Sequence, residues 1–259
     1  VAMAATRNGI KSLICMPDGA PISKVEATKQ LGAEVRLVKG AYDDAYATAL
    51  QIQEETGATF IHPFDDPEVI AGQGTIGLEI LDELEDPDAV VVPIGGGGLI
   101  SGVAYAIKHL NPKVKVYGVQ AAGAASMYTS RQAGEVLTLP SVATIADGIA
   151  VKRPGDLTFA LCQRYVDDIV TVRDDEIAAA ILALLEDQKT VAEGAGAVSV
   201  AAVMFGKVDL VGKNTVCVVS GGNVDVTTLS RIITKGLTKS GRIAEITTKV
   251  ADKPGSLIQ

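Results

Sequence analysis

The sequence predicts an α/β fold built on parallel sheets, and three observations support this. Short apolar runs alternate along the chain with longer segments of helical periodicity, which is the pattern of β-α-β units. One run, 89–94 (AVVVPI), is continuously apolar, as in a parallel strand covered on both faces. Four glycines follow it directly and lead into another helical pattern, so this strand ends in a tight backbone loop.

The first part of the chain reads as three strands separated by two helices. Ser23 and Glu26 form a capping-box pattern, which marks the start of a helix. The predicted elements in this part are a strand at 12–16, a helix from Ser23 to about Gly32, a strand at 33–38, a helix over 45–57 and a strand at 58–61.

The second part continues the alternation. Asp66 and Pro67 offer an N-cap and a first-turn proline for a helix that runs to about residue 84. Further strands are predicted at 89–94, 114–120, 169–172 and 215–220, with helices at 100–110, 174–187, 195–205 and about 224–235. Alternation over 242–250 predicts a new strand, and 252–257 predicts a turn toward a helix. The stretch 64–67 is the expected boundary between a small first layer and a larger second one.

Composition narrows the class of protein. Of the 259 residues, 47% are hydrophobic and 21% are charged, which favours a globular core. A net charge of −8 disfavours a nucleic-acid binder. No apolar run reaches membrane-spanning length and no signal peptide is evident, so we expect a cytoplasmic enzyme without a membrane partner. The three widely spaced cysteines, Cys15, Cys162 and Cys217, predict reduced thiols and no zinc site.

The four-glycine loop predicts an anion site. Glycines let the backbone approach an anion closely, and the helix that follows adds a partial positive charge. The dinucleotide spacing G-x-G-x-x-G fails, because Ile100 or Ser101 stands where the last glycine belongs. The next strand ends in Gln120, where a dinucleotide site has an acidic residue that binds the ribose. No Gly-Lys-Ser/Thr follows the glycines, so the Walker A pattern fails as well. A compact monophosphate therefore fits better than a dinucleotide.

Three further loops carry polar residues among small ones. Ser220 begins a Ser-Gly-Gly-Asn loop after an apolar strand, where its hydroxyl can hydrogen-bond a ring nitrogen and the glycines admit a flat cofactor. The loops 144–148 and 193–197 each contain one carboxylate. Taken alone, each of these two is more typical of a structural loop.

Together and in order, these motifs resemble the fold-type-II pyridoxal-phosphate (PLP) enzymes, which are tryptophan synthase β-like, and within them the threonine and serine dehydratases. The resemblance covers essentially the whole chain. The motifs are AGQGTIGLE at 71–79, GGGGL at 95–99, ADG at 146–148, VDDI at 166–169, EGAGA at 193–197 and SGGN at 220–223. The resemblance implies two parallel-sheet α/β/α domains: 1–65 as the remainder of a small domain and 66–236 as a large PLP-binding domain. It also implies that 237–259 is a linker and the start of an ACT-like regulatory domain.

The resemblance also implies residue roles and a reaction. The cofactor is PLP, and its phosphate is held by Gly95, Gly96, Gly97, Gly98 and Leu99. Ser220 faces the pyridine nitrogen, Asp147 and Gly148 line the substrate side, and Asn223 lies near the cofactor or a nucleotide effector. The implied reaction converts L-threonine to 2-oxobutanoate and ammonia, and L-serine to pyruvate.

Two features depart from the family pattern. The Schiff-base lysine and the Ser-Gly-Asn-His loop of the family do not occur in this sequence, so the catalytic residue is unknown and we expect little or no dehydratase activity from this chain as written. Lys152 is the one lysine expected near the pocket, and it is not expected to take that role. Gln120 and Ser126 stand where racemase relatives carry carboxylates, which predicts no divalent-cation site.

Alternatives remain open at this point. Within the fold, a serine racemase or a threonine synthase-like enzyme is the second interpretation. A non-catalytic amino-acid- or nucleotide-binding fragment is the third. The expected partners are an amino-acid substrate, an allosteric amino acid or nucleotide, and a second or further copies of the chain in a homodimer or homotetramer.

Overall fold

A computed structural model describes residues 1–20, 22–40 and 42–244. The chain divides into two compact units, Val1–His62 and a second unit that begins at Pro63. None of the helices in the described part of the chain combines the length and apolar character needed to cross a bilayer.

The first unit pairs two parallel strands through one helix. Its elements are α1 (Ala2–Arg7), β1 (Leu13–Pro17), α2 (Ile22–Gln30), β2 (Glu34–Val38) and α3 (Tyr42–Thr56). β1 lies beside β2 with Leu13 opposite Glu34. The side chain of Ser23 is outside what the structure describes, so the capping box predicted there stays a prediction.

The prediction of a strand at 58–61 is wrong. The segment has no strand conformation and takes no place in the β1–β2 ladder. Phe60 instead packs edge-on against Tyr46, with ring centroids 5.5 Å apart. Of the four residues only Phe60 is partly buried, and the other three are exposed. The apolar composition of this run therefore reports neither burial nor a strand to pair with.

The second unit contains a four-stranded sheet and seven helices among its described residues. Its elements are α4 (Pro67–Glu83), β3 (Ala89–Pro93), α5 (Gly98–Leu110), β4 (Lys115–Ala121), α6 (Ser126–Ala133), α7 (Asp156–Tyr165), β5 (Asp168–Val172), α8 (Asp174–Asp187), α9 (Gly194–Met204), β6 (Thr215–Cys217) and α10 (Val226–Lys239). All strand pairs are parallel, which confirms the predicted α/β class. Asp66 caps α4 as predicted, accepting from the N–H groups of Glu68 and Val69.

Some boundaries differ from those the sequence predicts. β6 is a three-residue strand, whereas 215–220 is predicted, because the chain turns away after a last bond from Val218 N to Val91 O. α6 and α7 are not predicted, since both are short and mix polar with apolar residues. Of the strand predicted at 242–250, residues 242–244 form no strand. The rest of it, and the turn at 252–257, lie outside the described residues.

The central strand β3 is buried throughout. Val90 and Val92 belong to the core on one face of the sheet, with Ile100 of α5. Val91 points to the other face and belongs to a core that includes Val198 of α9. The alternation follows from the two-residue period of a strand, and it places β3 between helices on both sides.

The strand order β5-β4-β3-β6 fixes where a ligand can bind. From β3 the chain adds β4 and β5 on one side, and β6 then returns to the other side of β3. The order therefore reverses between β3 and β6. In open parallel sheets, ligands bind beyond the carboxyl ends of the strands at such a reversal. The loops that follow β3 and β6 are the glycine loop and the Ser220–Asn223 loop.

Candidate functional site

The loop from Gly95 to Leu99 presents a row of unpaired backbone N–H groups. Gly97 is the N-cap of α5, and the first bond within the helix runs from Ser101 N to Gly97 O at 3.0 Å. Among the described residues, no protein group accepts from the N–H groups of residues 95–100. Gly96, Gly97 and Gly98 are buried, and a buried N–H without a partner is rare because it is unfavourable. The loop and the residue after it, Ile100, thus carry six N–H groups that are free to donate to an anion.

The packing around this loop has no space for side chains. A methyl group at Gly96 would collide with the ring of Phe64, and one at Gly98 would lie 2.9 Å from the Phe64 backbone. Gly97 has φ +103°, a left-handed conformation that favours glycine, and a methyl group there would lie 2.7 Å from Met127 Cε. Glycine is therefore required by the geometry at positions 96, 97 and 98, and the N–H row that results fits a compact phosphate.

The Ser220–Asn223 loop follows β6, the strand next to β3. Ser220 and Asn223 are both exposed, so their polar groups are available to a ligand. Glu193 N donates to Gly221 O at 3.0 Å, and a methyl group at Gly221 would collide with the Glu193 carboxylate. The loop is thus packed against the start of α9.

Asp147 and Gly148 belong to a short 3₁₀ turn, Asp147–Ile149, and both are exposed. A methyl group at Gly95 would lie 3.1 Å from Ile149 Cα, and one at Gly148 would lie 3.5 Å from Glu193 Oε1. The turn therefore adjoins the glycine loop on one side and the start of α9 on the other. These contacts run from the glycine loop through the Asp147–Ile149 turn and Glu193 to Gly221, and the roles of the residues that the sequence assigned to the site stay predictions.

Two positioning side chains were not identified from the sequence. Thr158 of α7 donates from Oγ1 to Gly96 O at 2.6 Å, beneath the glycine loop. Asp174, the first residue of α8, accepts from Thr144 Oγ1 at 2.6 Å and from Ile145 N at 3.2 Å. The only sequence signal for Asp174 is an acidic residue at a helix N-terminus. Nothing local marks Thr158, because its partner is 62 positions away.

The remaining candidates play structural roles or lie at the surface. Lys152 is exposed. Gln120 is fully buried, accepts from Tyr128 N at 2.8 Å in the first turn of α6, and lies 3.4 Å from Ile94 O. Within the described ranges, no group of three His, Cys, Asp or Glu side chains is placed to hold a metal ion. The expectation that there is no divalent-cation site stays a prediction.

The thiols are not poised for nucleophilic chemistry. Burial raises the pKa of Cys217, which lies on β6 near the candidate site, to about 11. Burial also raises the pKa of Cys162 to about 12, against smaller lowering effects of Ser101 and Arg131. Both groups are therefore protonated near neutral pH, and neither offers the thiolate that covalent catalysis requires.

Comparison with known proteins identifies the family of this chain. A family model described as "Pyridoxal-phosphate dependent enzyme" matches residues 1–221, and the chain belongs to this family. The expected cofactor class and the fold-type-II architecture are thereby confirmed.

Among curated relatives, an L-threonine ammonia-lyase from Thermotoga maritima is 58% identical over 99% of this chain and 64% of its own length. A catabolic L-threonine dehydratase from Escherichia coli is 47% identical over 90% of this chain and 71% of its own length. These relatives confirm the resemblance to threonine dehydratases. The chain spans 64% of the length of two of the threonine ammonia-lyases that it matches.

Solved structures show the same fold. The processed threonine deaminase isoform 2 of Solanum lycopersicum matches with a TM-score of 0.86 and 41% identity, over 91% of this chain and 69% of that one. Maize serine racemase matches with a TM-score of 0.84 and 38% identity, over 93% of this chain and 74% of that one.

Proposed function

We propose that this chain carries the cofactor-binding scaffold of a PLP-dependent ammonia-lyase that converts L-threonine to 2-oxobutanoate and ammonia, and L-serine to pyruvate. The observation that carries the proposal is the row of unpaired N–H groups at residues 95–100, at the point where the strand order reverses. The names of the threonine ammonia-lyase and threonine dehydratase relatives support the substrate.

The residues present fit the cofactor. Gly95, Gly96, Gly97, Gly98 and Leu99 would hold its phosphate through backbone N–H groups. Ser220, in the loop that follows the neighbouring strand, would offer its hydroxyl to the pyridine nitrogen. When bound, PLP supplies an electron sink for negative charge at the substrate α-carbon, which allows the β-substituent to leave.

The chain's own residues would bind and orient. The Asp147–Gly148 turn is exposed beside the glycine loop and would line the substrate side. Asn223 would lie near the cofactor or a nucleotide effector. The neutral hydroxyl of Ser220 would leave the ring nitrogen unprotonated, and this would moderate the electron sink in favour of rapid β-elimination.

The domain and partner assignments are part of the same proposal. Residues 1–65 would belong to the small domain, 66–236 to the large PLP-binding domain and 237–259 to a linker and the start of an ACT-like domain. The protein would be cytoplasmic, would assemble as a homodimer or homotetramer, and would respond to an amino-acid or nucleotide effector.

The test is ketoacid formation from L-threonine by a protein that carries this sequence together with the family's Schiff-base lysine, with Gly96→Ala and Gly72→Ala as a matched pair. A methyl group at Gly96 meets the Phe64 ring, whereas one at Gly72 in α4 meets nothing within 4 Å. We expect Gly96→Ala to lose cofactor binding and activity together, and Gly72→Ala to keep both. Equal behaviour of the two variants would contradict the proposed cradle.

The second candidate is a serine racemase, supported by the maize enzyme at 38% identity. Chiral chromatography of the products from L-serine separates the two reactions, since a racemase yields D-serine and an ammonia-lyase yields pyruvate. D-Serine as the main product would replace the proposal with this candidate. A threonine synthase-like enzyme would form neither product. A non-catalytic binding fragment would bind ligand and form no product.

A further inference from the structure

The start of α7 is fixed by a side chain from far along the chain. Asp65 accepts from Asp156 N at 3.1 Å through Oδ2 and from Thr158 N at 2.9 Å through Oδ1. These are two of the N–H groups that a helix leaves without internal partners. A methyl group at Gly155 would collide with the Asp65 carboxylate, so the fit is close. The position of Thr158 is therefore set by this cap.

Thr158 is fully buried and its hydroxyl is directed at the glycine loop. Its Oγ1 lies 2.6 Å from Gly96 O and 3.2 Å from Gly155 O. A hydroxyl has one proton, and the shorter distance assigns it to Gly96 O. Gly155 N also donates to Gly96 O, at 3.3 Å. The Gly96 carbonyl is thus held toward α7 by two donors.

The orientation of this carbonyl determines where Gly97 N–H points. The peptide between Gly96 and Gly97 is trans, like every other described peptide bond. In a trans peptide the C=O and the following N–H point in opposite directions. Holding Gly96 O toward α7 therefore turns Gly97 N–H away from α7. That N–H belongs to the row that no group in the described chain accepts from.

A glycine-glycine peptide does not select this orientation by itself. Glycine populates positive and negative φ about equally, so the peptide can flip at low intrinsic cost. We propose that Thr158, held by Asp65, is a positioning residue that fixes the Gly96–Gly97 peptide and thereby sets the affinity of the loop for the cofactor phosphate. The inference rests on the proposed function, because it takes the loop as the phosphate site.

The test compares two ligands that differ only in the phosphate. Pyridoxine 5′-phosphate and pyridoxine are titrated calorimetrically into the 259-residue chain. The Kd of pyridoxine divided by the Kd of pyridoxine 5′-phosphate measures the phosphate contribution. We expect Thr158→Val, which removes the hydroxyl but keeps the shape, to lower this ratio about 3- to 10-fold, as for the loss of one hydrogen bond. Pyridoxine itself should bind equally well to both proteins.

Two further variants separate positioning from a general loss of stability. Thr158→Ser restores the hydroxyl and is expected to keep the ratio within about twofold of the wild-type chain. Ser130→Ala removes another fully buried hydroxyl, which donates to Ser126 O at 2.8 Å and accepts from Leu137 N at 3.0 Å, away from the loop. It should lower the melting temperature and leave the ratio unchanged.

Three results would overturn the proposal. The first is an unchanged ratio in Thr158→Val while the wild-type chain prefers the phosphorylated ligand; this leaves the proposed function intact. The second is a fall in Thr158→Ser as large as that in Thr158→Val. The third is a wild-type chain without any phosphate preference, which removes the proposed cradle as well. If Thr158→Val does not fold, Asp65→Asn decides, with a lower ratio expected and an unchanged one contradicting the inference.

Discussion

Thr144 Oγ1 donates a 2.6 Å hydrogen bond to Asp174 Oδ1, which joins the loop before the Asp147–Ile149 turn to the first residue of α8. The second oxygen of Asp174 accepts from Ile145 N at 3.2 Å, so one carboxylate holds two consecutive residues of that loop. The loop is therefore placed by an element that begins directly after β5.

The first prediction concerns this carboxylate. Asp174→Ala removes both hydrogen bonds, and because bonds to a charged group contribute about 1.5–3 kcal/mol, we expect a similar loss of unfolding free energy in urea. Thr144→Val removes one bond to Asp174 and the bond that Thr144 Oγ1 accepts from Ala146 N at 3.1 Å. Because only one of these two bonds involves a charged group, this variant should lose less. The control is Thr190→Val, whose exposed hydroxyl lies 3.3 Å from Gln188 O, with an expected change below about 0.5 kcal/mol. An Asp174→Ala protein as stable as this control would contradict the prediction.

The second prediction compares two glycines in neighbouring helices. A methyl group at Gly102 of α5 would lie 2.6 Å from Gly74 N of α4, where the helix backbones are in close contact. We expect Gly102→Ala to lower the unfolding free energy by about 1–3 kcal/mol through overpacking. Gly72→Ala in the exposed face of α4 should raise it by about 0.5–1 kcal/mol, because alanine favours helix. Thermal unfolding of both variants measures whether each substitution raises or lowers the unfolding free energy. Changes in the same direction would be inconsistent with this packing.

The third prediction concerns acid stability. Asp175 accepts hydrogen bonds from Lys239, which has the larger effect, and from Arg173. Together they outweigh the opposite effect of partial burial and lower the pKa of Asp175 to about 2. The folded-state pKa lies below the unfolded value of about 3.9. The stabilisation is therefore complete above about pH 4 and is lost as the pH falls toward about 2.

Urea unfolding at about pH 5 and about pH 3 measures this loss. Asp175→Asn cannot titrate, so its loss of stability between the two pH values should be smaller than that of the wild-type chain. Equal losses in the two proteins would show that Asp175 makes no contribution to acid unfolding.

The fourth prediction concerns thiol reactivity. With a pKa of about 12, Cys162 is thiolate at pH 8 only to about one part in ten thousand, against about a quarter for an unperturbed thiol. We expect iodoacetamide to modify Cys162 at least about a thousandfold more slowly in the folded protein than in urea, with Cys217 also protected. Mass spectrometry of timed samples measures both sites. Equal rates for Cys162 in buffer and in urea would exclude its burial.

The parts of the fold that the sequence predicts are those with local signals. The strand at β3 and the glycine loop are adjacent in the chain, so apolar content and glycine count identify both. Asp66 at the start of α4 has its partners two and three residues away, and it caps as predicted. In each case the interaction lies within one turn or one strand.

The parts that the sequence does not predict depend on partners far along the chain. Asp65 caps α7 across 91 and 93 positions, and Thr158 reaches Gly96 across 62, so no window of the sequence contains either pair. The apolar run at 58–61 has the composition of a strand, but the described structure gives it no strand to pair with. Which strands pair, and which side chains support a loop, are decided by packing between distant segments.

The six unpaired N–H groups at residues 95–100 have a consequence for the lifetime of the protein. An anion that accepts from them binds the folded chain and not the unfolded one, so it shifts the equilibrium between the two. At a free concentration one hundred times its Kd, such a ligand adds about 2.7 kcal/mol to the free energy of unfolding. The population open to proteases falls by about a hundredfold. On the proposed function, supply of the phosphorylated ligand would therefore change how much protein survives as well as how much is occupied.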